Sequence, residues 1–325
     1  MTVSHDHTHS HPHDVGGESS GQIDTRDQGM THWEKHANAF RMVMTGKGLA
    51  SLDEMRRAAE DLGTRFYKIG YFERQTEAAA IALIERGVFT QSEFDVEMEA
   101  ARARFDVPAL NLPADHDHDG KPIQEDDAGG PPNEHHIMNL AMQALLVARG
   151  HLTAAEVRQM IENFDQEYPN RGAEVVVKAW VDPNFKASLL NDAKAAIASM
   201  GIDLEFQDDI VAVENTDDVH NIVVCTLCSC YPWSVLGMPP VWYKSMPYRA
   251  RAVRTPRALL RDEFGLELPA KRAVQVHDST ADLRYLVIPQ RPAGTEEMAE
   301  EAEQKGVETL EQEVVVVRGG LLQVE

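Results

Sequence analysis

Val224-Cys-Thr-Leu-Cys-Ser-Cys-Tyr-Pro-Trp233 is the most specific stretch of this 325-residue sequence. It holds all three cysteines of the chain, Cys225, Cys228 and Cys230. A disulfide framework needs dispersed pairs of cysteines, so this tight cluster indicates metal or redox chemistry. The alternative is a set of small buried thiols, because free cysteine packs well in a core.

The cysteine spacing favours a metal site that differs from structural zinc. Zinc usually takes four closed ligands from two separated pairs, and the chain has no second pair. The amide nitrogen and sulfur of Cys230 can chelate one ion, and the Ser229 amide nitrogen with the Cys228 sulfur can close a second ring. Cys225 can then bind axially, which leaves a sixth position open for substrate. Deprotonated amides and thiolates are strong donors that suit a small trivalent ion. The ligand types alone do not single out cobalt.

Short strands and helices are predicted around this motif. Four segments rich in β-branched residues and bounded by turn residues are predicted as strands, at 210–213, 222–226, 273–276 and 285–288. Capping boxes and terminal glycines predict helices at 51–62, 73–86, 90–104, 136–149, from 153, 172–180 and 184–199. A further short helix is predicted to start at Thr255-Pro256.

These patterns predict an α+β protein with an N-terminal helical domain, a linker, and a domain with a helical arm and a layered α/β metal-binding part. The predicted divisions are a disordered histidine-rich tail at 1–30, a helical domain at 31–106, a linker rich in Pro, Gly, His and Asp at 107–132, the metal-binding domain at 133–295 and an acidic tail at 296–325. No fold is predicted for the last segment.

Charge and hydropathy exclude several classes of function. The formal net charge of -22 would repel a phosphate backbone, so we expect no nucleic-acid partner. No apolar run reaches the roughly 18 residues of a membrane helix, and no secretory signal is visible, so a cytoplasmic location is expected.

The segment Cys225–Cys230 resembles the metal claw of the nitrile hydratase α subunit. Thr226 and Tyr231 are similar to the cobalt class, whereas the iron class typically has serine in place of Thr226. Further segments that resemble the α subunit are 177–183, 213–216, 239–251, 278–285 and 286–295. The segments 32–35, 51–56 and 71–72 resemble the N-terminal helical part of the β subunit. The resemblance therefore implies a β-then-α fusion.

This resemblance implies one Co³⁺ per chain, held by Cys225, Cys228, Ser229 and Cys230. Cys228 would be a sulfinate and Cys230 a sulfenate, which are two steps of cysteine oxidation. Arg56 matches an arginine that contacts these oxygens, and a guanidinium fork suits that task. An ordinary solvated helix charge is the alternative for Arg56.

Other positions match the family's pocket and its outer shell. Trp233 and Tyr71 match pocket residues, although aromatic core packing explains such residues equally simply. Asp278, Asp282 and Arg284 match a charged network around the site, with Asp282 at a position that is usually glutamate. Ordinary surface or strand-end charges are the alternative. Gln207 lies one position out of register with a glutamine of the family.

The implied reaction is the hydration of a small-molecule nitrile to its amide, with the metal ion acting as a Lewis acid. The oxygen of oxidised Cys230, or a water that it activates, attacks the nitrile carbon. The implied catalytic set is Cys230, Arg56, Ser229, Asp282 and Arg284. A thiocyanate hydrolase-type enzyme and a cobalt-binding or maturation protein without turnover are the alternatives.

The resemblance also implies protein partners. The C-terminal β-barrel of the family's β subunit, which carries a second arginine, has no match in these 325 residues. We therefore expect a hetero-oligomer with a separate small β-barrel subunit, and a cobalt-delivery activator is a further possible partner. The histidines at 5–13 are explained by loose metal capture or by a polar tail. His220 and His277 are expected to be residues of the fold rather than ligands.

Overall fold

The computed structural model describes residues 22–25, 30–105, 132–204, 209–227 and 229–291, with the backbone alone at 166–170. The chain forms two compact units, one of Thr31–Met160 and the other of residues from Ile161 onward together with the stretch 22–25. The predicted α+β class is confirmed, since all strands of the described ranges lie in the second unit and helices form the first. Within these ranges, no helix has both the length and the apolar character needed to span a bilayer.

The first unit is helical. Its elements are α1 (His32–Gly46), α2 (Leu52–Glu60), a 3₁₀ turn (Gly63–Tyr67), α3 (Tyr71–Glu85), α4 (Gln91–Phe105), α5 (Glu134–Ala148) and the start of α6 (Ala154–Glu162). The predicted capping boxes are present. At Ser51, for example, the backbone N–H donates to Glu54 Oε2 at 2.7 Å and the hydroxyl accepts from the Glu54 N–H at 3.2 Å. These contacts satisfy N–H groups that a helix start leaves open.

Helix α5 packs against α1, α3 and α4, although it follows them across residues 106–131. Buried polar contacts accompany this packing. His135 Nε2 of α5 donates to Glu77 Oε1 of α3 at 2.8 Å, and Arg65 Nη2 donates to the same oxygen at 2.6 Å. His36 Nε2 of α1 donates to Gln143 Oε1 of α5 at 2.6 Å. A mismatch at any of these pairs would leave a buried polar group without its partner, so they specify how α5 is seated.

The second unit combines helices with four short strands. Its elements are the end of α6, a π-helical turn (Asn163–Glu167), α7 (Tyr168–Val181), α8 (Pro183–Asn191), α9 (Ala193–Ala198), β1 (Asp209–Glu214), β2 (Val219–Val224), α10 (Trp233–Leu236), a 3₁₀ turn (Val241–Lys244), α11 (Met246–Arg254), α12 (Pro256–Phe264), β3 (Ala273–Asp278) and β4 (Leu283–Ile288).

The strands form two parallel pairs. Strand β1 pairs with β4, with Asp209 opposite Leu283 and Glu214 opposite Ile288. Strand β2 pairs with β3, with Val219 opposite Ala273 and Val224 opposite Asp278. Parallel strands bring their carboxyl ends to one edge, so the residues after Val224 and those around Asp278 are neighbours. The core beneath them contains Ile222, Val224, Tyr243, Tyr248 and Leu286.

Two elements of the second unit differ most clearly from the sequence-based prediction. The second strand was predicted at 222–226 but runs Val219–Val224, because His220 and Asn221 are buried strand residues and the ladder ends before Cys225. The single helix predicted at 184–199 is two helices, because Asp192 breaks the first and caps the second through the Ala195 N–H at 3.0 Å. The compact units divide after Met160, and the predicted domain division at 107–132 stays a prediction.

Candidate metal site

The claw, residues Cys225–Cys230, begins where β2 ends. Cys225 is 1% exposed and Cys230 is 5% exposed, while Ser229 between them is half-buried. Neither Cys225 nor Cys230 forms a disulfide. Cys228 lies outside the described residues, and no group of three or more His, Cys, Asp and Glu ligands occurs within them. The described part of the claw therefore contributes two shielded thiols and backbone amides.

Asp278, at the end of β3, binds the first turn of the claw. Its Oδ1 accepts from the Thr226 N–H at 2.9 Å, and its Oδ2 accepts from the Thr226 hydroxyl at 2.6 Å. The pairing of Val224 with Asp278 explains this contact, because it places the carboxylate beside the residue where β2 turns away. Both oxygens of Asp278 thus hold one residue of the claw.

Three side chains from the segment 241–254 hold the backbone of the claw and its approach. The Tyr243 hydroxyl donates to the Cys230 carbonyl at 2.8 Å, and the Tyr248 hydroxyl donates to the Val223 carbonyl at 2.6 Å. Arg249 Nε donates to the Cys225 carbonyl at 3.1 Å, and its Nη2 donates to the Thr226 carbonyl. We call Tyr243, Tyr248 and Arg249 the clamp residues.

The clamp residues are all buried. Burial raises the pKa of Tyr243 well above its usual value, with nearby Cys225 adding to the shift, and burial likewise raises the pKa of Tyr248. Both phenols therefore stay protonated and keep donating to their carbonyls. The sequence of this segment resembles the nitrile hydratase α subunit, but no role was predicted for these three residues.

Trp233 begins the short helix α10, three residues after Cys230. Its ring is half-buried and meets Phe164 edge to face, with the centroids 5.7 Å apart. Helix α10 is seated directly on α7, where Gly172 leaves no room for a side chain. A Cβ at Gly172 would lie 2.6 Å from Leu236 Cδ2 and 2.9 Å from the Val235 carbonyl. Gly172 therefore helps to fix the helix that carries Trp233.

The expected network of Asp278, Asp282 and Arg284 is only partly assembled. Arg284 is buried, and its Nη1 donates to the carbonyls of Thr280 and Ala281 in the turn between β3 and β4. The Asp282 side chain is exposed. Within the described ranges, no ion pair joins Arg284 to either aspartate, and its Nη1 donates to the turn carbonyls instead. Asp278 contacts the described part of the claw directly, through Thr226.

Arg56 and Tyr71 lie in the first unit, whereas the claw lies in the second. Arg56 Nη1 pairs with Asp53 Oδ1 at 2.9 Å on α2, and its side chain is 16% exposed. Tyr71 is the first residue of α3, and its ring meets that of Phe72 edge to face at 5.1 Å. Their approach to the claw stays a prediction.

The two histidines expected to belong to the fold are found in the strands of the second unit. His277 Nε2 donates to Asn221 Oδ1 at 2.9 Å, and its ring packs on Tyr285 with the centroids 4.8 Å apart. His220 is 3% exposed, and burial, with help from Arg272 and Arg257, lowers its pKa to about 4. Gln207, the histidines at 5–13 and the predicted acidic tail at 296–325 lie outside the described residues.

The fold and the site define a class of α+β protein that presents buried cysteines at the carboxyl edge of a parallel strand pair. Comparison with family models then gives two matches, the nitrile hydratase α chain at residues 133–312 and the N-terminal part of the nitrile hydratase β subunit at residues 10–127. The chain belongs to the nitrile hydratase α-chain family and carries a β-subunit N-terminal segment ahead of it.

Individual relatives agree with this assignment. The cobalt-containing nitrile hydratase subunit alpha of Pseudonocardia thermophila is 50% identical over 162 residues, which are 50% of this chain and 79% of the relative. The thiocyanate hydrolase subunit gamma of Thiobacillus thioparus is 35% identical over 176 residues, 51% of this chain and 72% of the relative. A crystal structure of a thiocyanate hydrolase mutant has a TM-score of 0.51 at 32% identity, covering 60% of this chain and 91% of that one.

Proposed function

We propose that this chain carries the cobalt site of a nitrile hydratase, with Cys225, Cys228, Ser229 and Cys230 as ligands. The observation that carries the proposal is the pair of buried thiols in the claw, Cys225 and Cys230, in a segment whose carbonyls and amide are held by the clamp residues and Asp278. Free thiols shielded from water, together with backbone amides, are a donor set that fits a small trivalent ion. The names of the cobalt-containing relatives support cobalt, as do Thr226 and Tyr231.

Bound cobalt would supply a Lewis acid that polarises the nitrile. Cys230, held as a sulfenate after a two-electron oxidant has acted on its thiolate, would orient the water that attacks the nitrile carbon. Alternatively it would transfer its own oxygen to that carbon, with the S–O bond broken and then re-formed from the water. One water is consumed in each turnover, and its two protons end on the amide nitrogen. Trp233, three residues after the claw, contributes to the wall of the substrate pocket. Asp282 and Arg284 belong to the proposed charged network around the site and act on the residues that hold the metal ion and the substrate.

A thiocyanate hydrolase is the second candidate. It is supported by the 35% identity to a subunit of that enzyme and by the structural similarity over 60% of this chain. Both candidates place a polarised carbon–nitrogen triple bond at the claw. They differ in the substrate, so one assay separates them.

The test is metal analysis and an activity assay on full-length protein from cells supplied with both cobalt and iron. We expect about one cobalt per chain, since the claw offers a single site, and conversion of nitrile to amide. Turnover of thiocyanate alone would select the second candidate. Stoichiometric iron in the active protein would refute cobalt, and cobalt without any turnover would indicate a binding or maturation role.

We further propose a hetero-oligomer in which a separate small β-barrel subunit supplies a second arginine. The reasoning is electrostatic, because oxygens on Cys228 and Cys230 carry negative charge in a buried site, and a buried charge without compensation costs several kcal/mol. A cobalt-delivery activator is a second expected partner. Co-purification from the native host tests both. Full activity from this chain alone would refute the need for the barrel subunit.

A further inference from the structure

Arg249 is the clamp residue that touches the claw at two successive carbonyls. It lies in α11 and is 4% exposed. Its Nε donates to the Cys225 carbonyl at 3.1 Å, its Nη2 donates to the Thr226 carbonyl, and its Nη1 contacts Met246 Sδ at 3.3 Å. These contacts place a guanidinium against the carbonyl oxygens of the first two peptides of the claw.

We propose that Arg249 is a positioning residue for the metal site, fixing the Cys225–Thr226 peptide and setting a positive charge beside the anionic ligands. The inference rests on the proposed function of the claw as a cobalt site. Arg249 lies in the same compact unit as the claw. It is therefore a cation in addition to Arg56 and the arginine expected from the partner subunit.

The geometric part of the argument concerns one peptide group. Its oxygen, on Cys225, accepts from Arg249 Nε, while its N–H, on Thr226, donates to Asp278 Oδ1 at 2.9 Å. Rotation of this peptide would break both hydrogen bonds together. Strand β2 ends at Val224, so the strand pairing cannot supply this restraint. Arg249 and Asp278 thus hold the peptide that carries the Cys225 thiol from its two sides.

The electrostatic part concerns the ligands. Thiolates and deprotonated amides are anionic, and gathering them in a buried site is unfavourable without nearby positive charge. A guanidinium stays charged at any relevant pH and binds two acceptors through its planar fork. Lysine would keep the charge but lose the fork, whereas methionine would keep comparable bulk and lose both.

The experiment compares four full-length proteins, the wild type, Arg249→Met, Arg249→Lys and Arg257→Met. Arg257 is the matched control, because its Nη1 also donates to backbone carbonyls, those of Leu268 at 3.1 Å and Pro269 at 3.2 Å, away from the claw. Each metal-free protein receives cobalt(II) chloride together with increasing concentrations of a competing chelator, and the cobalt retained per chain gives the cobalt affinity. Hydrogen exchange of the peptide spanning 224–233 is measured on the metal-free proteins.

Arg249→Met should lower cobalt affinity by about 10-fold or more, the usual effect of losing a group that orients metal ligands. Its claw peptide should exchange faster, Arg249→Lys should be intermediate, and Arg257→Met should match the wild type in both measurements. Wild-type cobalt retention and exchange in Arg249→Met would overturn the proposal.

Two further outcomes are also decisive. If Arg249→Met does not fold, Arg249→Lys takes its place, and wild-type behaviour of that variant overturns the proposal. If the wild type binds no cobalt, the proposed function fails. The exchange data then decide separately whether Arg249 holds the claw, since faster exchange supports this and unchanged exchange refutes it.

Discussion

At the scale of single residues, the claw presents cysteines in two settings. Cys225 follows directly from a strand, and its carbonyl is held by Arg249, whereas Cys230 lies beyond the turn with its carbonyl held by Tyr243. The residue types and their spacing predict a metal site at the claw, and that site stays a prediction. The clamp residues could not be predicted in the same way, because they act on backbone carbonyls 13 to 25 positions away, which leaves no local pattern.

Oxidation of the claw is the first testable consequence. Mass spectrometry of the peptide containing Cys225–Cys230, taken from active protein, should show added oxygens on Cys228 and Cys230 and none on Cys225. The reason is that the proposed mechanism needs an oxygen on the sulfur of Cys230, while Cys225 would act only as a ligand. Three reduced thiols in an active preparation would contradict the mechanism.

Asp278 provides a second test. Replacing it by alanine removes the acceptor of both the Thr226 N–H and the Thr226 hydroxyl. We expect a loss of about 1 kcal/mol in the free energy of unfolding, a modest value because the carboxylate is exposed to solvent. Cobalt content should fall as well, because the first turn of the claw is released.

The matched control is Asp282→Ala, which removes an exposed carboxylate four residues further on. It should change the free energy of unfolding by less than about 0.5 kcal/mol. Urea unfolding of both variants measures the difference. An equal effect of the two substitutions would show that the Asp278 contacts contribute nothing.

At the scale of elements, the strands were predicted better than their pairing. β-branched runs located all four strands, but the start of β2 was hidden because His220 and Asn221 are polar residues in buried positions. The parallel pairing of β2 with β3 joins residues more than 50 positions apart. That pairing brings Asp278 to the claw, and it follows from packing rather than from any local pattern. Helix α11 was missed, although Ser245 and Pro247 mark its start.

The close seating of α10 on α7 provides the third test. Gly172→Ala would place a methyl group 2.6 Å from Leu236 Cδ2 and 2.9 Å from the Val235 carbonyl, so the two helices must separate. Overpacking of this kind typically destabilises by about 1–3 kcal/mol. Because α10 begins at Trp233, substrate affinity should weaken as well.

The free energy of unfolding and the Michaelis constant are measured for Gly172→Ala. Glu174→Ala, two residues along the same helix, is the control, since it removes a half-buried side chain without inserting bulk. Gly172→Ala with wild-type stability would mean that the helices separate at no cost.

At the scale of the whole molecule, buried histidines should make stability depend on pH. His220 has its pKa lowered from 6.5 to about 4, and burial also lowers the pKa values of His36, His136 and His277. The unfolded chain therefore binds protons that the folded chain refuses. The stability that these histidines contribute is fully present above pH 6.5 and is lost as the pH falls toward 4. For His220 alone, the loss at pH 5 is about 2 kcal/mol.

His220→Gln tests this prediction, because glutamine does not titrate. The difference in unfolding free energy between pH 7 and pH 5 should be smaller in this variant than in the wild type. The control His151→Gln removes an exposed histidine and keeps the buried one. An identical pH dependence in the wild type and His220→Gln would rule out His220 as a source of acid sensitivity.

The seating of α5 has a consequence for how this gene can be divided. Residues 133–312 match the α chain, yet α5 buries Ile137, Ala141, Met142 and Leu146 within the unit Thr31–Met160. A fragment beginning at residue 133 would expose that apolar stripe to water and would be expected to aggregate. Supplying residues 31–105 as a second polypeptide should rescue the solubility of this fragment. The segments that match the β subunit and the α chain are thus joined by a shared hydrophobic core as well as by the peptide chain.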